Sequence, residues 1–201
     1  MRDDTTDPRR QAILQAAIQA FAAYGFRKTS MDDIARGAGM SRPALYLHYR
    51  NKEDIFRALI EAFYAANADA LRAELFAAPD RPPQETLAAA FRVQGGEMME
   101  LLMRSPHGLE LFEASSQTSM DLLSRGEETL TGLYEAWLRQ GADHGRLALA
   151  SPPRAVARTI TAALKGMKYA AEDYESYVTL LDALARLVGT GLVACNTLQE
   201  K

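Results

Sequence analysis

Residues 29–52 read TSMDDIARGAGMSRPALYLHYRNK, and this stretch decides the fold. Met31, Ile34, Ala35 and Ala38 recur at helical spacing and fall on one face of a short helix. Ser30 precedes them at the N-cap, with Asp33 three residues on as a capping-box partner. Gly37 and Gly39 then break the pattern. A second short helix follows, with Ser41 as its N-cap, Pro43 tolerated in its first turn, and Leu45, Tyr46 and Tyr49 as its bulkier positions. Two short helices joined by a tight glycine-containing turn form a helix-turn-helix, whose second helix can enter the DNA major groove. Any short helical hairpin shares that spacing, so the pattern alone leaves DNA binding and a structural hairpin both open.

On the N-terminal side, Asp7-Pro8 opens a helix, because proline at the first position gives up an N–H that would be orphaned there in any case. Ile13, Ala17, Ala20, Phe21 and Tyr24 mark one face of it, and Gly25 ends it. This helix is expected to pack across the pair and complete a three-helix core with Ile34, Met40 and Leu45, since two helices this short cannot bury enough surface alone. Arg27 and Lys28 lie in the connection, free to meet phosphates or to face water. On the other side, Ile55, Phe56, Leu59, Ile60, Phe63, Ala66, Ala70, Leu71 and Leu75 run from Lys52 without a proline. About 25 residues at 1.5 Å each predict a helix on the order of 37 Å long. It outreaches the small module and is a plausible mechanical link to whatever lies beyond.

The segment AAPDRPP, 77–83, is a proline-bearing break. Beyond it the spacing predicts helices over about 84–104, 107–116, 119–140, 152–172 and 174–196. No alternating run of strand length, internal repeat or low-complexity tract interrupts them. The expected fold is all-α, with a three-helix helix-turn-helix domain over 1–51 and a larger helical domain over 52–201. The paired Gly95-Gly96 inside a helical stretch marks a kink, a close contact or space for a ligand.

Apolar residues make up 48% and charged residues 24% of the 201, which suits a globular core. No apolar run approaches the roughly 18 residues needed to span a bilayer, and the start MRDDTTDP lacks a signal-peptide core, so no membrane partner and a cytoplasmic location are expected. The single Cys195 has no partner for a disulfide or zinc site and is expected to pack as a small hydrophobe. Net charge is −3, unevenly placed: residues 1–57 hold ten Lys or Arg against seven Asp or Glu, and the remainder 13 against 19. Positive charge concentrates beside the helix pair, as phosphate neutralisation requires, although a solvated basic face looks the same.

The run Ile34-Ala35, Ala38-Gly39-Met40-Ser41, Leu45-Tyr46, His48-Tyr49, Lys52-Glu53 and Ile55 resembles the N-terminal domain of the TetR family of transcriptional regulators, over roughly the first quarter of the chain. The resemblance implies a homodimer reading double-stranded DNA, a pseudo-palindromic operator, and a C-terminal domain that varies with its inducer. By resemblance, Tyr46, His48 and Lys52 match positions that contact the DNA backbone, and Ser30 matches the region that does so at the start of the preceding helix. All four are donors suited to phosphate oxygens; packing is the alternative for Tyr46 and His48. Arg42 has the planar fork that matches guanine O6 and N7, with phosphate contact as the alternative. Pro43 and Ala44 suit a thymine methyl, or serve only to start the helix. Ser41 is counted with these. Leu45 and Tyr49 belong to the core; Tyr49 stands where the family more often has Phe. Asp32 and Asp33 stabilise the helix dipole and are not expected to touch DNA.

No motif carries over beyond residue 57. Phe63, Met98, Phe112, Tyr134 and Trp137, with Gln94 as an orienting polar group, are the expected lining of a small, largely apolar ligand site, although such residues at helical spacing also build plain core. The faces of the last two helices, Ala155, Thr159, Ala162, Ala163, Gly166 and Ala170, then Leu180, Leu184, Leu187, Val188, Gly191 and Leu192, allow close approach of a second subunit, with completion of a monomer core as the alternative. His48, His107 and His144 show no metal spacing, and no phosphate loop or nucleophile elbow is present. No enzyme activity, metal or cofactor is expected. The expected function is a ligand-released repressor; a regulator without a ligand, and a helical enzyme or interaction module, are the alternatives.

Overall fold

In the computed structural model, residues 7–193 are described, and all regular structure among them is helical. The elements are α1 (Pro8–Tyr24), α2 (Met31–Gly37), α3 (Arg42–Tyr46), α4 (Lys52–Phe76), α5 (Pro83–Arg104), α6 (Gly108–Thr118), α7 (Met120–Asp143), α8 (Pro153–Ala170) and α9 (Tyr174–Gly191). Each predicted helix is present within a few residues at its ends. Cys195, and the expected end of the last helix near 196, lie outside the described residues. None of these helices is long and apolar enough to cross a membrane.

The described chain divides into two compact units, 7–65 with 97–126, and 66–96 with 127–193. This division is not the sequential one at residue 52: α4, α5 and α7 each contribute one part to either unit. In α5 the change of unit falls at Gly96, where φ is +52° and ψ −163° and the helix breaks. A Cβ there would meet nothing within 4 Å, so the glycine serves a kink and not a close contact.

The first unit is built on Ile13, Ala17 and Phe21 of α1, Ile34 and Ala35 of α2, Leu45 of α3, Tyr49, and Ile55, Phe56 and Leu59 of α4, all buried, with Leu111 and Ala114 of α6 in the same cluster. Phe21, Phe26 and Phe56 pack ring against ring at 4.9 to 5.4 Å, arrangements that add to their area burial. Leu45 and Tyr49 are core, as expected. Tyr24 is not: it is 55% exposed, because the apolar face of α1 passes through Phe21 and ends one turn before the helix does. Arg57 of α4 holds Asp121 of α7 through two bonds of 2.8 Å and also donates to the Thr118 carbonyl at 2.7 Å.

That fork keeps the Asp121 carboxyl at about 2, below its ordinary range, the Arg57 hydrogen bonds being the main cause. A carboxylate whose pKa is depressed on folding stabilises the native state above its unfolded value and loses that contribution as pH falls through the folded one. The stability difference between wild type and Asp121→Asn is therefore expected to be full above pH ~4 and to vanish toward pH 2. Urea denaturation at a series of pH values measures it; a difference independent of pH would contradict it.

In the second unit, Leu71, Leu75, Leu87, Phe91, Leu130, Leu138, Ile160, Leu164, Leu181 and Ala185 are buried. The fully buried Tyr134 donates to Gln94 Oε1 at 2.7 Å and meets Phe91 edge to face; burial raises its hydroxyl well above the ordinary range. Gly189 of α9 lies so close to α5 that a Cβ would reach the Gln84 backbone at 2.3 Å.

Candidate nucleic-acid interface

The geometry of the helix pair follows from its caps. The Ser30 hydroxyl accepts from the Asp33 amide at 3.2 Å, and the Asp33 carboxylate accepts from the Ser30 amide at 3.0 Å and hydroxyl at 2.5 Å, a complete capping box that starts α2. These bonds hold the Asp33 carboxyl below its ordinary range. At the other end Gly39 has φ +66°, and the Met40 amide returns to the Ala35 carbonyl at 3.0 Å. A left-handed residue there closes the helix and turns the chain sharply, which only glycine does cheaply. Ser41 accepts from the Ala44 amide at 3.3 Å and starts α3, with Pro43 in its first turn. Because the cap satisfies an orphan N–H, Ser30→Ala is expected to cost about 1 kcal/mol, read in thermal denaturation.

On this frame α3 presents one surface and buries another. Leu45 is fully buried and Ala44 partly so, while Ser41, Arg42, Pro43, Tyr46, Leu47 and His48 are exposed, Leu47 at 87%. The helix is short, Arg42–Tyr46, and Leu47 and His48 follow it in a turn. Exposure of so large an apolar side chain beside Pro43 and Tyr46 suits a partner that brings its own apolar groups.

Arg42 is not loose. Its Nη1 donates to Asp32 Oδ2 at 3.3 Å, its Nε lies 3.3 Å from Oδ1, its Nη2 donates to the Tyr46 hydroxyl at 3.5 Å, and the guanidinium sits 5.6 Å from the Tyr46 ring centre. The Tyr46 bond and the Asp32 charge keep the guanidinium pKa above its ordinary value. Asp32, set aside in the sequence as a helix-dipole residue, thus holds Arg42 from the other helix of the pair. Ten residues separate the two, so no local sequence signal announces the contact.

Ser30 and Lys52, expected on phosphates, are occupied within the protein. The Ser30 hydroxyl is spent on the capping box. Lys52 donates to the carbonyls of Phe26 at 2.7 Å, Arg27 at 2.9 Å and Thr29 at 3.1 Å, with its ammonium 4.9 Å from the Phe26 ring centre. An ammonium has three donors, and three carbonyls take them. The connection from α1 to α2 is tied down twice more. Thr29, buried, donates to the Gly25 carbonyl at 2.7 Å, and Glu110 of α6 accepts from the Arg27 amide at 2.9 Å. Gly25 has φ +82°, and a Cβ on it would lie 2.4 Å from the Glu110 carboxylate. Glu110 also lies 3.5 Å from His107, one helical turn away, whereas its bond to Arg27 joins residues 83 apart. Arg36 and Arg50 add exposed cations, paired with Asp33 and Asp54 at the surface.

The expected ligand residues do not form one group. Gln94 and Tyr134 meet in the second unit. Phe63, Met98 and Phe112 belong to the first, where Phe63 touches Tyr64 and the other two pack on its core. Trp137 lines a cleft in the second unit that includes none of the other five.

A wholly helical described chain carrying an exposed helix-turn-helix on a three-helix core defines, as a class, a helix-turn-helix protein. Residues 13–59 match the family described as "Bacterial regulatory proteins, tetR family". The HTH-type transcriptional regulator AcrR of Shigella flexneri is 40% identical over 52 residues, 26% of this chain and 24% of AcrR. The HTH-type transcriptional regulator TtgR of Pseudomonas putida is 36% identical over 64 residues, 32% of this chain and 30% of TtgR. The matched stretch thus spans about a quarter to a third of these relatives. Over nearly the whole chain the fold is that of SmeT, the repressor of the Stenotrophomonas maltophilia multidrug efflux pump SmeDEF, with a TM-score of 0.67 at 22% identity, covering 98% of this chain and 95% of SmeT. The SmeT–triclosan complex gives 0.68 at the same identity, covering 96% and 95%. At that identity the likeness is one of fold.

Proposed function

We propose that this protein is a cytoplasmic, homodimeric transcriptional regulator, a repressor that binds a pseudo-palindromic operator and leaves it when a small, largely apolar molecule binds. The observation that carries the reading is the surface of α3, where Arg42 and Pro43 are exposed on a three-helix core, followed by the half-buried Ala44 and with Tyr46 and His48 beside them. Residues 1–51 are the DNA-binding domain and 52–201 the ligand-binding and dimerisation domain. Arg42 reads base edges, Pro43 and Ala44 let the helix sit deep, and Tyr46, His48 and Ser41 contact phosphates. Lys52 and Ser30 leave that set for the supporting frame, because their donors are already used.

One helix-turn-helix makes few contacts, and a two-fold dimer doubles them. The outward side of α8 supports dimerisation: Ala155, Thr159, Ala162, Gly166 and Ala170 are exposed, and on α9 Leu187 is 76% exposed. For ligand control, α4 and α6 each hold the connection that leads into α2, through Lys52 and Glu110. An inducer with different affinity for two positions of these helices shifts the reading helices away from the separation of about one DNA turn, ~34 Å, that adjacent half-sites require. Of the expected inducer contacts, Gln94 and Tyr134, which meet each other in the second unit, stay proposed.

Fluorescence anisotropy with labelled duplex DNA tests the binding. Affinity falling linearly with the logarithm of salt concentration, and a smaller slope for variants that lose phosphate donors such as His48→Ala, is the expected result. Salt-independent or absent binding would refute it. An inducer is expected to raise the melting temperature and weaken operator binding together.

A further inference from the structure

Trp137, the single tryptophan of the chain, lines a cleft of about 320 Å³ in the second unit. The cleft lies at the end of α4, the proline-bearing break that follows it, and the end of α7. Its form follows from the way α7 stops. Gly145, with φ +67°, turns the chain back, and the amides of Arg146 and Leu147 both donate to the Gly141 carbonyl, at 2.9 and 3.1 Å. Gly141 permits this: a Cβ on it would lie 2.4 Å from Leu147 Cδ1. The return of the chain fixes the Arg146 backbone beside Trp137 and Gln140 in the wall of the cleft.

The two arginines of the wall differ. Arg81 is paired with Glu74. Arg146 is half-buried, and its guanidinium has no hydrogen bond or ion pair among the described residues. Asp80, the other charged group of the lining, is exposed. Phe76, Pro79 and Trp137 supply apolar and aromatic wall. The cleft therefore offers aromatic surface, on which a planar ring stacks favourably, and one unspent planar fork, which matches a carboxylate with two parallel bonds. Its volume is at the lower end of the roughly 300–1,000 Å³ typical of ligand clefts, which limits the guest to about one ring.

We propose that this cleft binds a small planar aryl carboxylate, its ring against Trp137 and Phe76 and its carboxylate on Arg146. The site is separate from the helix-turn-helix and from the proposed inducer contacts, and it stands whether or not the protein binds DNA. Trp137 is its own reporter, since no other indole contributes to the emission.

The test is a titration of the full chain with trans-cinnamate, followed by Trp137 fluorescence corrected for absorption, beside its neutral isostere cinnamamide. Cinnamate is expected to give a saturable change, and cinnamamide to bind at least about tenfold more weakly, since a charge-assisted pair is lost. Arg146→Met is expected to weaken cinnamate by a similar factor and to leave cinnamamide unchanged. Arg146→Lys, which keeps the charge without the fork, falls between. No saturable change with cinnamate, equal binding of acid and amide, or unchanged cinnamate affinity in a folded Arg146→Met would each overturn the proposal. The acid–amide comparison on the wild type stands even if the methionine variant fails to fold.

Discussion

Arg42→Ala is expected to lower discrimination between the operator and unrelated DNA by about 5- to 160-fold for each half-site, while binding to unrelated DNA falls by much less. The first figure is the roughly 1–3 kcal/mol that a good bidentate contact to a base is worth; the second follows because non-specific binding is a sum over many phosphate contacts, of which Arg42 supplies at most one. The free protein already holds the side chain in a defined position, between Asp32 and Tyr46. Ordering the long arginine side chain in advance reduces the entropy lost when it docks. Asp32→Asn keeps the size of the group and removes its charge, so it is expected to give a smaller loss of discrimination in the same anisotropy competition. If Arg42→Ala weakened operator and unrelated DNA by the same factor, Arg42 would be a phosphate contact and the reading of bases would have to pass to other residues of α3.

Lys52→Met carries the largest expected effect on stability. Methionine keeps most of the aliphatic stem but supplies no donor, which leaves the Phe26, Arg27 and Thr29 carbonyls without the ammonium that now joins them. Hydrogen bonds to a charged group are worth ~1.5–3 kcal/mol when well formed. The site is only half-buried and water replaces part of each bond, so roughly 3 kcal/mol in total is expected, a fall of about 6–12 °C in melting temperature for a chain of this size. DNA affinity measured well below the melting temperature should change little, and its salt slope should hold. A phosphate role for Lys52 predicts the reverse: an unchanged melt, and a slope smaller by about 1.

These two residues show what the sequence makes legible and what it hides. The helix pair, its caps and its core are local matters. Ser30 and Asp33 are three residues apart, Gly39 sits where the chain must turn left-handed, and Ile34, Ala35 and Leu45 keep helical spacing. Such signals lie within a turn or two of the residue they describe, and they placed every helix among the described residues. The partners that decide what a polar side chain is free to do are not local. Lys52 looks like a phosphate donor until the carbonyls 23 to 26 residues earlier are seen to surround it. Glu110 accepts from the amide of Arg27, a partner 83 residues earlier. Tyr24 fails for a related reason, since helical spacing continues past the point where the core does. The ligand set was the least legible part, because aromatic and Met residues on helices pack cores and line cavities with the same periodicity; the structure distributes those residues over two units.

We propose that α3 of each of two subunits reads one operator. Selection of bound duplexes from a random DNA library by the full-length protein tests it most directly. The predicted result is enrichment of an inverted repeat whose half-site centres lie about 10 base pairs, one helical turn, apart, with the enrichment lost in Arg42→Ala and retained in Lys52→Met at a temperature where that variant is folded. Bound DNA with no enriched sequence, or a single half-site without its inverted copy, would contradict it.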